Sequence, residues 1–139
     1  MKKQNLYITL GYLSVYCLIY LTGRIIWCDI NESGLIAWLF TSMPIGEHSY
    51  MYGWLLSSYM FLCALVISVL PSLFGRFKFS AVTTVGFIMG LVSGMILGPY
   101  PDGDAIGHGH YGWAIWVVVY LISIIVGVIV EKRNKQKSF

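Results

Sequence analysis

Four long stretches of this chain are almost free of charged residues, and they constrain the fold more than any other feature. They cover residues 6–27, 50–70, 80–98 and 111–130. A helix needs about 20 mostly apolar residues to cross a hydrocarbon core about 30 Å thick. A transmembrane β-barrel would show short strands of alternating hydrophobicity instead. The sequence therefore predicts an all-α, polytopic membrane protein, in which residues 1–139 form one compact bundle of four transmembrane helices.

A fifth apolar segment, residues 34–46, is too short to span a bilayer. Segments of this length more often lie at the interface or against other protein. Trp38 suits an interfacial position, because tryptophan is enriched at the membrane–water boundary. We therefore expect a short interfacial helix in the first outer loop.

The positive charges are distributed unevenly. Four spans place both termini on one side, and all but one of the nine Lys and Arg residues fall in the N-terminus, the middle loop or the C-terminus: Lys2, Lys3, Arg76, Lys78, Lys132, Arg133, Lys135 and Lys137. The positive-inside rule then predicts cytoplasmic termini in a plasma membrane of the bacterial inner-membrane type. The basic balance follows from topology and gives no support to nucleic-acid binding.

The third segment carries a glycine zipper, in which Gly86, Gly90, Gly94 and Gly98 recur at every fourth position. Residues four apart stay close together on a helix surface, drifting by about 40° per step. Small residues at this spacing let helix backbones approach closely. The facing surface is expected on the second segment (Ser57, Ser58, Ala64, Ser68), on the first (Gly11, Ser14), or on the third helix of a second copy.

Ionisable residues concentrate in the loop after the third segment, which reads PYPDGDAIGHGHYGW. In an extended backbone, His108 and His110 project to the same side. With Asp102, Asp104 and His48 from the first outer loop, they form a candidate ligand set for a divalent transition metal. The alternative is a solvated turn whose polar residues simply mark the water side.

Arg24 is the one basic residue placed towards the outer side. It lies near the outer end of the first segment. Either it anchors the helix at the lipid headgroups, or it forms an ion pair with Asp29, Asp102 or Asp104 that ties the first helix to the third loop.

The four segments contain no Lys, Asp, Glu or His, which disfavours ion-coupled transport and voltage sensing. The sequence also lacks a G-x-S-x-G motif and a glycine-rich phosphate loop. The leading prediction is a non-enzymatic interaction protein whose partners are the lipid bilayer and either another membrane protein or a second copy. One alternative is metal binding or metal transport at the outer Asp/His cluster, and the other is an enzyme acting on a lipid-linked substrate.

Overall fold

The computed structural model describes residues 3–27, 59–98 and 112–136. Within these residues the chain is helical except for residues 74–76 and Gly98. The helices are α1 (Lys3–Trp27), α2 (Tyr59–Leu73), α3 (Phe77–Leu97) and α4 (Gly112–Gln136). The interfacial helix expected at residues 34–46 lies outside the described residues.

Three of these helices are long and apolar enough to cross a membrane. The stretches concerned are Lys3–Thr22, Phe77–Leu97 and Gly112–Asn134. The remaining helix, α2, has 15 residues and rises only about 22 Å, less than a full span. Residues 50–58, where the second span was expected to begin, lie outside the described residues. The described residues are thus all-helical, with three helices that could cross a membrane, whereas the fourth crossing and the side of the termini remain predictions.

The second helix does not stop at Pro71 as the sequence suggested. Pro71 lies inside α2, which continues to Leu73. A proline removes one i→i−4 backbone hydrogen bond from a helix, and α2 continues for two further residues despite that loss. The residue that terminates the helix is Gly75, whose φ is 78°. Its N–H donates to Ser72 O at 3.0 Å and the next N–H, of Arg76, to Pro71 O at 3.1 Å, which is a Schellman motif.

Two further helices, α3 and α4, extend beyond their apolar segments at the charged end. α3 begins at Phe77, three residues before the expected start, and α4 runs to Gln136, six residues past the expected end. Charged and amide residues with long side chains are good helix formers, so α4 continues after its apolar run stops. The carboxylate of Glu131 also accepts the backbone N–H of Phe79 at 3.4 Å, which satisfies one free donor in the first turn of α3.

The helices pack in the order α1, α2, α3, α4. The antiparallel pair α3 and α4 has the most extensive contact, α2 packs against both α3 and α1, and α1 touches α3 only slightly. The centre of the bundle is aromatic. The ring of Phe87 lies 4.9 Å from Tyr16, 5.9 Å from Phe61, 5.6 Å from Trp116 and 6.1 Å from Tyr120, measured between centroids. Phe87 thus joins all four described helices through tilted and edge-to-face contacts.

Candidate functional site

The glycines of α3 form a face that α4 occupies, which we call the glycine face (Gly86, Gly90, Gly94 and Gly98). All four are buried. A Cβ atom added to Gly90 would lie 2.8 Å from Cδ1 of Trp116, and one added to Gly98 would lie 2.6 Å from Cα of Gly112. A Cβ atom on Gly86 would overlap the side chain of Ser123. Each of these contacts is too close for a side chain, so α4 fills the space that the glycines leave.

The partner of the glycine face differs from the ones that the sequence suggested. The nearest atoms around Gly86, Gly90 and Gly98 belong to α4 or to α3 itself, and none belongs to Gly11, Ser14, Ala64 or Ser68. Ser57 and Ser58 lie outside the described residues. The fit is reciprocal, because Gly127 of α4 receives the ring of Phe79, which would lie 3.0 Å from an added Cβ. Trp116 is bulky, so a search for small residues does not indicate it as a partner of the glycine face. Only the three-dimensional pairing shows that Gly90 makes room for its indole ring.

Buried hydroxyl groups from all four helices meet beside the aromatic core. We call this group the hydroxyl centre (Tyr16 of α1, Ser68 of α2, Thr84 of α3 and Tyr120 of α4). The hydroxyl of Tyr120 donates to the carbonyl of Ala64 at 3.0 Å. It also lies 2.9 Å from the hydroxyl of Ser68. These contacts bind α4 to α2 across the bundle, and such interhelical hydrogen bonds contribute about 0.6 kcal/mol each in membrane proteins.

The other two hydroxyls of the centre are buried without a well-formed hydrogen bond. Tyr16 lies beside Ser68, Thr84 and Tyr120, yet neither its hydroxyl nor that of Thr84 has a hydrogen-bond partner within the described residues. The sequence interpretation missed this centre. The signal in the sequence was that each apolar segment contains hydroxyl-bearing residues, since hydroxyls in lipid-facing positions gain little and usually turn inward.

A second polar contact fastens α1 to the turn between α2 and α3. Thr9 Oγ1 lies 2.7 Å from Ser72 Oγ. The amide of Asn5 donates to Leu73 O at 3.3 Å, and the hydroxyl of Tyr12 donates to Phe77 O at 3.2 Å. One side of α1 is therefore held by hydrogen bonds at its beginning and by the ring of Tyr16 further along.

The opposite side of α1 has no such neighbours among the residues that the structure describes. Tyr7, Gly11, Ser14 and Leu18 follow a spacing of four, three and four residues, and all are exposed. We call them the open face of α1. No described heavy atom would lie within 4 Å of a Cβ atom on Gly11. The hydroxyl of Ser14 donates to Leu10 O at 2.8 Å within its own helix. The open face therefore consists of two small residues, Gly11 and Ser14, between two large side chains.

The residues expected to bind a metal or to form an outer ion pair fall largely outside the described part of the chain. This holds for Asp102, Asp104, His108, His110 and His48, and for Asp29, the expected partner of Arg24. The backbone of Arg24 lies in α1. Within residues 3–27, 59–98 and 112–136, no three His, Cys, Asp or Glu side chains come together. Both outer sites therefore remain predictions.

The chain has no detectable relative in three kinds of comparison. No protein-family model matches it, and no curated protein or solved structure is significantly similar to it.

Proposed function

We propose that this protein is a non-enzymatic interaction protein of the bacterial inner membrane, which binds a partner helix inside the bilayer through the open face of α1. Two concrete versions fit this mode of action. One is protection against a membrane-active toxin, and the other is a subunit of a membrane complex. In both, the outer loops add contacts at the water side.

The observation that supports the proposal is the open surface around Gly11. Lipid tails are as apolar as leucine, so a lipid-facing helix gains nothing from a glycine. In a soluble helix, glycine costs about 1 kcal/mol relative to alanine. A glycine in α1 is explained when a second backbone comes close to it, as α4 does at the glycine face.

The flanking residues suit the same role. Tyr7 is 71% exposed and Leu18 is 63% exposed, and they stand on either side of the small pair Gly11 and Ser14. Spacings of four and three residues place such side chains along one seam of a helix. A partner helix can therefore settle on the small pair while the two large side chains pack beside it.

The natural Cys17 provides the experiment. Cys17 is exposed at the edge of the open face, and Cys63 is exposed on α2. A chain that keeps Cys17 but carries Cys28→Ser and Cys63→Ser is cross-linked in native membranes with a short thiol-directed reagent. The proposal predicts one discrete adduct, at twice the mass of the 15.6 kDa chain for a second copy or at another mass for a different membrane protein.

Two variants make this experiment specific. Gly11→Leu fills the open face and is expected to abolish the adduct while the protein still inserts. Val66→Leu, at an exposed position of α2, adds apolar bulk elsewhere and should leave the adduct unchanged. Absence of any adduct with the parent chain, or its persistence in Gly11→Leu, would contradict the proposal.

A further inference from the structure

The described cationic side chains all lie at one end of the bundle. They stand at the beginning of α1, in the turn before α3, in the first turn of α3 and in the last turns of α4: Lys3, Arg76, Lys78, Lys132 and Arg133. Two hydrogen bonds bring these helix ends together. Asn5 of α1 reaches Leu73 O at the end of α2, and Lys78 Nζ donates to Asn134 Oδ1 of α4 at 2.6 Å. We call these five residues the cationic end.

The positive charge of the cationic end is not neutralised by described protein groups. All five side chains are exposed, and all but Lys78 are without a hydrogen bond or an ion pair within the described residues. The single described carboxylate, Glu131, accepts the N–H of Phe79 at the start of α3. Exposed, unpaired cations favour an anionic partner in the surrounding medium.

The position of these side chains along the helices indicates that the surrounding medium is the headgroup region of the bilayer. The span-length stretches begin at Lys3 and Phe77 and end at Asn134, so the cations lie in the terminal turns of these stretches or, for Arg76, directly before one. Side chains just outside the hydrocarbon core reach the level of the lipid phosphates. The backbone of Arg76 is held in place there, because its N–H donates the second hydrogen bond of the Schellman motif at the end of α2.

We propose that the cationic end binds anionic phospholipid headgroups, with Arg76, Lys132 and Arg133 holding the phosphate. Arginine suits phosphate through two parallel N–H donors, and lysine adds a point charge. The positive-inside distribution accounts for the side of the membrane on which the cations lie. Binding adds a measurable preference for one class of lipid, and this preference is independent of any partner at the open face of α1.

The experiment measures lipid retention on the purified full-length chain. Native mass spectrometry counts the lipids that remain after extraction from vesicles of phosphatidylcholine mixed with phosphatidylglycerol, at low and high salt. We expect preferential retention of phosphatidylglycerol at low salt and a smaller preference at high salt, because salt screens exposed charges. Equal retention of the two lipids would overturn the proposal.

A triple variant, Arg76→Gln with Lys132→Gln and Arg133→Gln, tests the named residues. Each basic residue near an anionic surface contributes about fivefold in binding, so the variant should lose about a hundredfold. Arg24→Gln removes one cation from the opposite end of α1 and should leave the preference intact. Arg76→Lys with Arg133→Lys keeps the charge and should retain most of the binding, which separates loss of charge from loss of folding.

Inorganic phosphate distinguishes the lipid from a free anion. The expected result is that phosphatidylglycerol raises the thermal unfolding midpoint in detergent, whereas phosphate at the same concentration leaves it unchanged. An equal rise with phosphate would contradict a lipid site, and so would unchanged phosphatidylglycerol retention in the triple variant.

Discussion

The glycine face of α3 and the open face of α1 carry the same kind of residue in opposite surroundings. On α3, α4 comes so close that a Cβ atom on Gly90 would lie 2.8 Å from Trp116. On α1, no described atom would lie within 4 Å of a Cβ atom on Gly11. Close approach of α4 thus explains Gly86, Gly90 and Gly98, whereas Gly11 has no such neighbour within the described part of the chain.

This difference shows what small residues in apolar segments indicate. They mark where a backbone approaches, but not whether that backbone belongs to the same chain. Four glycines at strict spacing are used inside the bundle. Gly11 and Ser14 are exposed among the described residues, which is why the proposed binding surface lies on α1.

The largest expected effect comes from filling the glycine face. Gly90→Leu forces a branched side chain against the indole ring and backbone of Trp116, so the free energy of unfolding should fall by about 3 kcal/mol or more. Unfolding in mixed detergent micelles measures this. The contact would be shown to be unimportant if Gly90→Leu unfolded at the same denaturant fraction as the parent chain.

Gly75 gives a second, independent test of stability, because its backbone conformation requires a glycine and no neighbouring side chain does. Gly75 has a φ of 78°, and an alanine there would enter the left-handed region at a cost of about 1 to 2 kcal/mol. Gly75→Ala should therefore reduce the unfolding free energy by that amount in the same assay. An unchanged value would argue against the Schellman turn between α2 and α3.

The hydroxyl centre provides a test of which buried hydroxyl groups stabilise the fold. Tyr120→Phe removes hydrogen-bonding contacts to Ala64 O and Ser68, so it should lower the unfolding free energy by about 1 kcal/mol. Tyr16→Phe removes a hydroxyl without a hydrogen-bond partner and should be neutral or stabilising. The two substitutions delete the same atom, so each is the control for the other. A larger loss of unfolding free energy in Tyr16→Phe than in Tyr120→Phe would show that the stabilising hydrogen bond belongs to Tyr16 instead.

The smallest expected effect on folding is at the open face. Gly11→Leu adds a side chain where the structure leaves space, so the unfolding free energy should change by less than about 0.5 kcal/mol. The comparison between the two faces predicts that Gly11→Leu abolishes partner binding, whereas Gly90→Leu lowers the free energy of unfolding. A Gly11→Leu protein that unfolds as easily as Gly90→Leu would show that α1 is packed on both sides.

The sequence by itself determined the structural class and the approximate helices. Long uncharged segments leave few ways to satisfy backbone hydrogen bonds in lipid, so the all-α membrane class follows from local composition. The ends of the helices were less certain. The second span was predicted to end at residue 70, but α2 ends at Leu73, and the Schellman motif after it depends on hydrogen bonds that only the folded turn provides.

Only the tertiary structure decided which surfaces meet. The spacing of Gly86, Gly90, Gly94 and Gly98 indicated close packing, yet the pairing with Trp116 and Ser123 of α4 was not visible in it. Nor did the sequence show that Tyr16, Ser68, Thr84 and Tyr120 share one centre. The physical reason is that helix formation depends on neighbours within a few residues, whereas packing depends on the shapes of side chains that are far apart in the chain.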